Sequence, residues 1–474
     1  MRYGVLIAAL LAGCGGAPKY DPPKPDMPVA WKVEAPFREG TPNDAAPKGR
    51  WWERFNDPLL NALQEKALAA NPTLAGAYYR LAQARATFAS VSGQQYPQLN
   101  AVARATRFRI TESRPLTNNA STNFSTTQND FLVGLSASYE LDFAGRVSAL
   151  VEGATATYEQ SAADLENVKL LLTADLATAY FNLRQTDIEL DVLAKAIELQ
   201  RRSLGIARTR HDLGAGSGLD VAQQQALIDN TLTQVDILRR QRAQFQHALA
   251  TLIGMPAPLF SVEPDPREMT PPAVPIGVPS DILERRPDVA AAERAMAAAN
   301  AQVGVANAAF YPSITLGATL GQQSRDIETL FERPSLVWSL GVNLLQPLLD
   351  GGRIRANFDF AQAGYGVTVA NYRRVVLTAM QEAEDGIIGL AALERASDQS
   401  RISVASQQKV LDLVNTRYEG GVASPLEVIV AQQALLNNQR LAAQLVGQRL
   451  LTTVFLVKAL GGGWEGPQTL SSRP

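Results

Sequence analysis

The sequence predicts an α+β membrane protein built from a duplicated unit of helix, two strands and a long helical hairpin. Three observations predict it. First, the prolines of the 474-residue chain are crowded: nine of the 27 lie from Pro18 to Pro58 and nine from Pro256 to Pro287. None lies between Pro115 and Pro256, and only Pro425 lies between Pro347 and Pro467. An interior proline costs a helix about 3 kcal/mol, so the clear stretches can hold unusually long helices. Second, several segments alternate apolar and polar residues with the period of a strand. Third, the chain repeats itself. "TRHDLGAGSGLDV" (209–221) precedes "TRYEGGVASPLEV" (416–428) by 207 residues, and the same offset pairs Gly145-Arg146 with Gly352-Arg353 and Gly254 with Gly461. Asn71-Pro72 pairs with Arg286-Pro287, and Tyr96-Pro97 with Tyr311-Pro312, at an offset of 215. One unit was duplicated, and an eight-residue difference is absorbed in its middle.

In chain order, the first element is a leader. Met1 and Arg2 give a cationic start, Val5 to Leu11 an apolar run, and Ala12-Gly13-Cys14 a small-residue end, the layout of a secretory signal peptide. The run is far shorter than the ~20 residues that span a bilayer as a helix. Leu11-Ala12-Gly13-Cys14 resembles the bacterial lipobox, whose cysteine becomes the acylated first residue. Residues 1–13 are therefore expected to be removed, and Cys14, the only cysteine, to carry covalent lipid. Gly15 stands where an Asp would resemble an inner-membrane retention signal, which favours the outer membrane. Residues 14–58 form a proline-rich segment.

The first unit is expected at 59–255. An Ala-rich helical segment runs to Tyr96, where Pro97 ends it. A strand follows at about 98–111, with weak alternation, and another at 130–142. There Phe131, Val133, Leu135, Ala137, Tyr139 and Leu141 alternate with Leu132, Gly134, Ser136, Ser138, Glu140 and Asp142. A helical hairpin occupies about 147–253, and its first arm alone would extend roughly 100 Å. A proline-rich linker (256–280) leads to the second unit (281–464). Its strands fall at about 313–322 and 335–346, its hairpin at about 353–460, and a tail at 465–474 follows. Ser280 and Asp281 suit a helix cap and Pro287 the first turn of the next helix. In the hairpins, Val221, Ile228 and Val235 recur at heptad spacing, matched by Val428, Leu435 and Ala442.

The exclusions are as informative. A net charge of -2 gives no case for nucleic acid. Two histidines, His211 and His247, and one cysteine leave no metal site. "GAGSG" (214–218) has no preceding strand and no following Gly-Lys-Ser/Thr, so it is a hairpin turn and not a phosphate loop. No catalytic constellation is present, and no enzyme activity or cofactor is expected. No downstream run of 18 apolar residues occurs, so any membrane crossing must use strands in a closed barrel. Single-chain bacterial barrels start at about 8 strands, so four per chain require several chains to share one barrel. Alternation alone does not exclude the edge of a soluble sheet or a sandwich.

The chain resembles TolC-type outer membrane factors, specifically the lipoprotein branch that serves resistance-nodulation-division efflux pumps. The resemblance covers 10–465. It is carried by the lipobox, "WWERFNDPLLNALQEKALAANPTL" (51–74), "YELDFAGR" (139–146), "GVPSDILERRPDVAAAE" (277–293), "FYPSITL" (310–316), "GGRIRANFDFA" (351–361), "TRYEGGVASPLEV" (416–428) and "VFLVKALGGGW" (454–464). It implies a homotrimer in the outer membrane of a Gram-negative bacterium. A twelve-stranded β-barrel would continue into a twelve-helix periplasmic α-barrel, with a belt built partly from the proline-rich segments. It implies a periplasmic membrane-fusion adaptor, an inner-membrane resistance-nodulation-division pump and outer-membrane lipid as partners. The adaptor would meet two hairpin tips, Gly214, Ala215, Gly216, Ser217 and Gly218, and Gly420, Gly421, Val422, Ala423 and Ser424. The family narrows its tunnel with Leu and acidic side chains, which carries over to Leu426. Val430 stands where the family often has Asp, so an apolar constriction is expected. Asp220 and Glu427 read equally as aperture residues or as helix caps. The implied function is an exit duct for drugs and small toxic compounds. Two alternatives remain at this point: a type I protein-secretion duct, or a lipid-anchored periplasmic scaffold without a pore.

Overall fold

The structure, a computed structural model, describes residues 49–113, 125–274 and 285–462. The leader, Cys14, Ser280, Asp281 and the tail at 465–474 lie outside the described residues. The described residues divide into two units. Leu81–Ser161 with Ala292–Tyr372 form one, and the rest form the other.

Local chemistry sets the element boundaries. Helix α1 (Pro58–Ala70) begins at a proline and is capped by Asp57, whose Oδ1 accepts from the amides of Leu59 (3.0 Å) and Leu60 (3.1 Å). Helix α2 (Pro72–Ser92) is capped by Asn71 through the Leu74 amide at 3.0 Å. It stops at Ser92, and a 3-10 turn (Gly93–Gln95) follows, short of the expected limit at Tyr96. The reason is Pro97, whose ring clashes with the carbonyl four residues back and bars a helical residue before it. Strands β1 (Gln98–Ile110) and β2 (Thr126–Leu141) lead to α3 (Arg146–Asp212) and α4 (Gly218–Leu252). After the turn at Ala257–Leu259, the proline-rich stretch carries no regular structure up to its last described residue, Val274. Then come α5 (Pro287–Ala308), β3 (Ser313–Ser324), β4 (Leu336–Leu345), α6 (Arg353–Glu419) and α7 (Pro425–Ala459). Helices α3 and α6 each have 67 residues, α4 and α7 each 35. No helix among the described residues is long and apolar enough to cross a membrane.

In the first unit the strands form one antiparallel sheet in the order β1-β2-β3-β4. Directly opposed residues share a face, and the register therefore sorts the side chains. One face carries Leu99, Ala101, Ala103 and Ala105, opposite Ala137, Leu135, Val133 and Phe131. On that face Ile314, Leu316, Ala318 and Leu320 of β3 meet Leu344, Val342, Leu340 and Trp338 of β4. The other face carries Asn100, Ser136, Ser138, Thr315, Thr319, Ser339 and Asn343. On it, Arg104 binds Asp130 at 2.6 Å, and Gln323 donates to the same carboxylate at 2.7 Å.

The second unit is helical, and buried polar groups join its parts. Asn71 donates to the Leu252 carbonyl at 2.8 Å, and Arg286 donates to the Ala459 carbonyl at 3.0 Å. Gly254 (φ +72) and Gly461 (φ +86) follow these carbonyls. A Cβ on Gly254 would lie 2.5 Å from the Ala70 carbonyl oxygen, and one on Gly461 would lie 2.8 Å from that of Arg285. Only glycine serves there, because both the left-handed backbone and the close approach exclude a side chain. Arg286 also grips Asp288 with two nitrogens (3.0 and 2.7 Å) and Glu382 at 2.7 Å. Its role is structural.

Candidate functional site

The two hairpin turns are built alike, from backbone chemistry upward. At the first, α3 closes with the Ala215 amide donating to the Arg210 carbonyl (2.8 Å) and Gly214 in the left-handed region (φ +73). Ser217 then starts α4 with a capping box. Its hydroxyl accepts from Leu219 at 3.1 Å, and the Asp220 carboxylate accepts from the Ser217 amide at 3.1 Å. At the second, the Val422 amide donates to the Arg417 carbonyl (2.8 Å), Gly421 has φ +74, and Ser424 starts α7. The Ser424 hydroxyl accepts from Glu427 at 3.3 Å, and Glu427 accepts from the Ser424 amide at 3.0 Å. The carboxylates of Asp220 and Glu427 thus both turn back onto their own helix starts. Gly216 is pressed by Arg210 and His211, with 3.2 Å to the nearest atoms for an added Cβ.

Arg210 ties the hairpins together. Its guanidinium donates to the Tyr418 carbonyl at 2.7 Å and lies 4.2 Å from the centre of the Tyr418 ring. A cation at the C-terminal end of α6 also complements that helix's dipole. Tyr418 is buried against Ala423 and Val428. Further along, Gln432 donates to the Ser203 hydroxyl at 2.7 Å, and Gln224 donates to Gln432 at 3.3 Å. Glu189, buried, accepts from Arg440 and Gln444, both at 3.2 Å. None of these long-range partners is signalled by the sequence alone.

Other apolar residues around the turns face outward. Leu426 is 55% exposed and Val430 59%, one helical turn apart on α7. Val422 is 73% exposed, and Leu213, which sequence reasoning passed over, is 77% exposed. A signal was available: Leu213 sits between the end of α3 and Gly214, where no packed face remains to receive it. Of the heptad positions, Ile228, Val235, Val428 and Leu435 are buried, while Val221 and Ala442 are only half-buried.

The Ser424 amide and hydroxyl, with Arg417 3.4 Å away, hold the Glu427 carboxyl below its ordinary value against a smaller opposing effect of burial. A depressed folded-state pKa gives a contribution that is complete above the ordinary carboxylate value and lost as pH falls through the lowered one. Amide-exchange protection of Ser424–Val428 is therefore expected to fall between neutral pH and pH ~3. Glu427→Gln should show less protection at neutral pH and no such fall; an unchanged profile in that variant would remove Glu427 from the cap.

No group of His, Cys, Asp and Glu that could hold a metal occurs among the described residues. Comparison with known proteins gives the arrangement a context. The family model described as outer membrane efflux protein matches residues 63–255 and 278–462. The chain is similar to the pyoverdine export outer membrane protein OpmQ of Pseudomonas aeruginosa, 32% identical over 96% of this chain and 95% of that one. It is similar to the toluene efflux pump outer membrane protein TtgF of Pseudomonas putida, 31% identical over 99% and 98%. Among solved structures, the outer-membrane channel OprN superposes with a TM-score of 0.86 at 28% identity, covering 94% of this chain and 99% of that one.

Proposed function

Because the chain belongs to the outer membrane efflux protein family and is an outer-membrane exit duct of an efflux system, not an enzyme, we propose that three copies assemble into one conduit. Three four-stranded sheets close into a twelve-stranded barrel that continues as a twelve-helix tunnel in the periplasm. The single observation that carries this is the sheet. One face is apolar from Leu99 to Ala105 on β1 and across the facing parts of β2, β3 and β4, the other carries most of the polar strand residues, and among the described residues β1 and β4 each have one neighbour. A sheet with two open edges and an apolar outer face closes by pairing with further copies. The duplicated unit is supported by the matched helix lengths and by the matched Asn71–Leu252 and Arg286–Ala459 bonds.

In this reading Cys14 carries the lipid that holds the assembly to the outer membrane. The turns Gly214–Gly218 and Gly420–Ser424 receive a periplasmic membrane-fusion adaptor, which links the duct to an inner-membrane resistance-nodulation-division pump. Leu426 and Val430 form an apolar constriction, and Asp220 and Glu427 serve it by fixing the helix starts. The duct conducts passively. It binds no nucleotide, and its cargo is drugs and other small toxic compounds, in keeping with relatives named for the export of pyoverdine and toluene.

The test is the intracellular accumulation of a fluorescent efflux substrate in a strain lacking the gene, against complemented cells. Higher accumulation, reversed by the intact gene, is expected. Unchanged accumulation across several dyes, in a strain with no substitute duct, would overturn the small-molecule reading in favour of protein secretion. Absence of conductance in planar bilayers would overturn the duct itself and leave the scaffold.

A further inference from the structure

The apolar face of the sheet ends in an exception. On β1 the outward series Leu99, Ala101, Ala103, Ala105 continues as Arg107 and Arg109. Arg107 stands opposite Asn129 and Arg109 opposite Thr127. Among the described strand residues these two are the only charges on that face; the other charged strand residues, Arg104, Asp130 and Glu140, lie on the polar face. Both arginines are exposed. The carboxylate at their level, Asp130, is on the opposite face and already held by Arg104 and Gln323. Among the described residues Arg109 donates to the Ser125 hydroxyl at 3.3 Å, and neither arginine forms an ion pair.

Depth matters as much as charge. The helices join the sheet at the other ends of the strands, so Arg107 and Arg109 lie toward the β1–β2 connection. From Leu99 to Arg109 the strand advances roughly 33 Å, which at a tilt of ~40° rises about 25 Å, the height of a barrel's apolar band. An arginine placed mid-band would be costly, whereas one at the edge can extend its head group into the polar layer. The guanidinium fork binds phosphate oxygens in pairs.

We propose that Arg107 and Arg109 form a binding site for the phosphate groups of the glycolipid that makes the outer leaflet. The inference rests on the barrel reading above, because that reading places the apolar face against lipid and the β1–β2 end outward. Three copies give three such sites around the rim. The pair anchors the barrel's height in the membrane and orders the lipid beside β1, the strand that must seal against a neighbouring copy.

The test is native mass spectrometry of the purified full-length protein released from detergent with lipid A, or with lipid A stripped of its phosphates. The wild type should retain lipid A at least roughly tenfold better than the dephosphorylated form, as expected for paired charge-assisted bonds. Arg107→Gln/Arg109→Gln should lose that preference, Arg107→Lys/Arg109→Lys should keep part of it, and Arg104→Gln, on the polar face, should keep all of it. Equal retention by the glutamine variant, or no preference for phosphate in the wild type, overturns the site. Conductance of the same samples in planar bilayers separates the two failures. A conducting protein with no phosphate preference overturns this site alone, and a protein that neither assembles nor conducts overturns the barrel reading and this inference with it.

Discussion

Replacing Asp57 with alanine should lower stability by about 3–5 kcal/mol, the range for removing one partner from a buried charged network. Asp57 is 1% exposed. Its Oδ1 caps α1 through two amides, and its Oδ2 accepts from the Tyr180 hydroxyl at 2.6 Å and from Arg267 at 2.7 Å. Tyr180 in turn accepts from Arg184 at 3.1 Å, and Arg184 binds Asp187 at 3.0 Å and the Glu263 carbonyl at 2.9 Å. One carboxylate thus joins the start of α1, the middle of α3 and the proline-rich stretch. Alanine would leave two amides and a buried phenol without their acceptor, and Arg267 with Asp265 alone. The denaturant midpoint of the purified protein reports the loss. Asp57→Asn, which keeps a capping oxygen but not the charge, should fall between alanine and wild type. An alanine variant with an unchanged midpoint would show that the network holds nothing. Its pH dependence follows as well. Burial, with the nearby Asp57, pushes the Tyr180 hydroxyl up to about 12. A raised folded-state value gives stability that is complete below the ordinary value of ~10 and lost as pH rises toward ~12. Tyr180→Phe should flatten that alkaline loss.

How much of this was legible in the sequence depended on the range of the interaction. The long helices were readable because proline exclusion is a local rule, and α3, α4, α6 and α7 fill the proline-poor stretches. The sheet faces were readable wherever one face has an unbroken apolar run, as from Phe131 to Leu141 in β2, Ile314 to Leu320 in β3 and Leu336 to Leu344 in β4. Strand β1 alternated weakly because Arg104 serves a cross-strand carboxylate on one face while Arg107 and Arg109 end the other. The offsets of 207 and 215 foretold which positions correspond. They did not foretell that Asn71 and Arg286, chemically unlike, would both donate to the closing carbonyl of a long hairpin. Asp57–Tyr180 and Arg210–Tyr418 join residues far apart in the chain, and no spacing rule reaches them. Asp220 and Glu427 were undecidable for another reason. An acid at the third helical position suits both a cap and an aperture, and only the direction of its carboxylate separates the two. Both carboxylates turn to the amides of Ser217 and Ser424.

That division of labour sharpens what the turns can present to a partner. Their carboxylates and serines are spent on the helix starts, and their backbone donors on closing the helix ends. The most exposed apolar side chain at each tip is Leu213 at the first and Val422 at the second, each about three-quarters exposed. Exposed apolar residues on both turns suit a contact that buries them against another protein. The double variant Leu213→Asp/Val422→Asp should therefore abolish efflux, with dye accumulation rising to the level of a strain lacking the gene. Surface substitutions away from packed features usually change stability by less than ~0.5 kcal/mol, so the amount of protein in the outer membrane and its unfolding midpoint should stay at wild-type values. Conductance in planar bilayers should also be retained, because the pore itself is untouched. Lost efflux together with lost conductance would instead place the defect in the conduit, and retained efflux would remove the two tips from the adaptor contact. Leu426→Asp/Val430→Asp provides the opposite signature: these residues belong to the proposed constriction, so the expected change is in conductance and ion preference, read in the same bilayers.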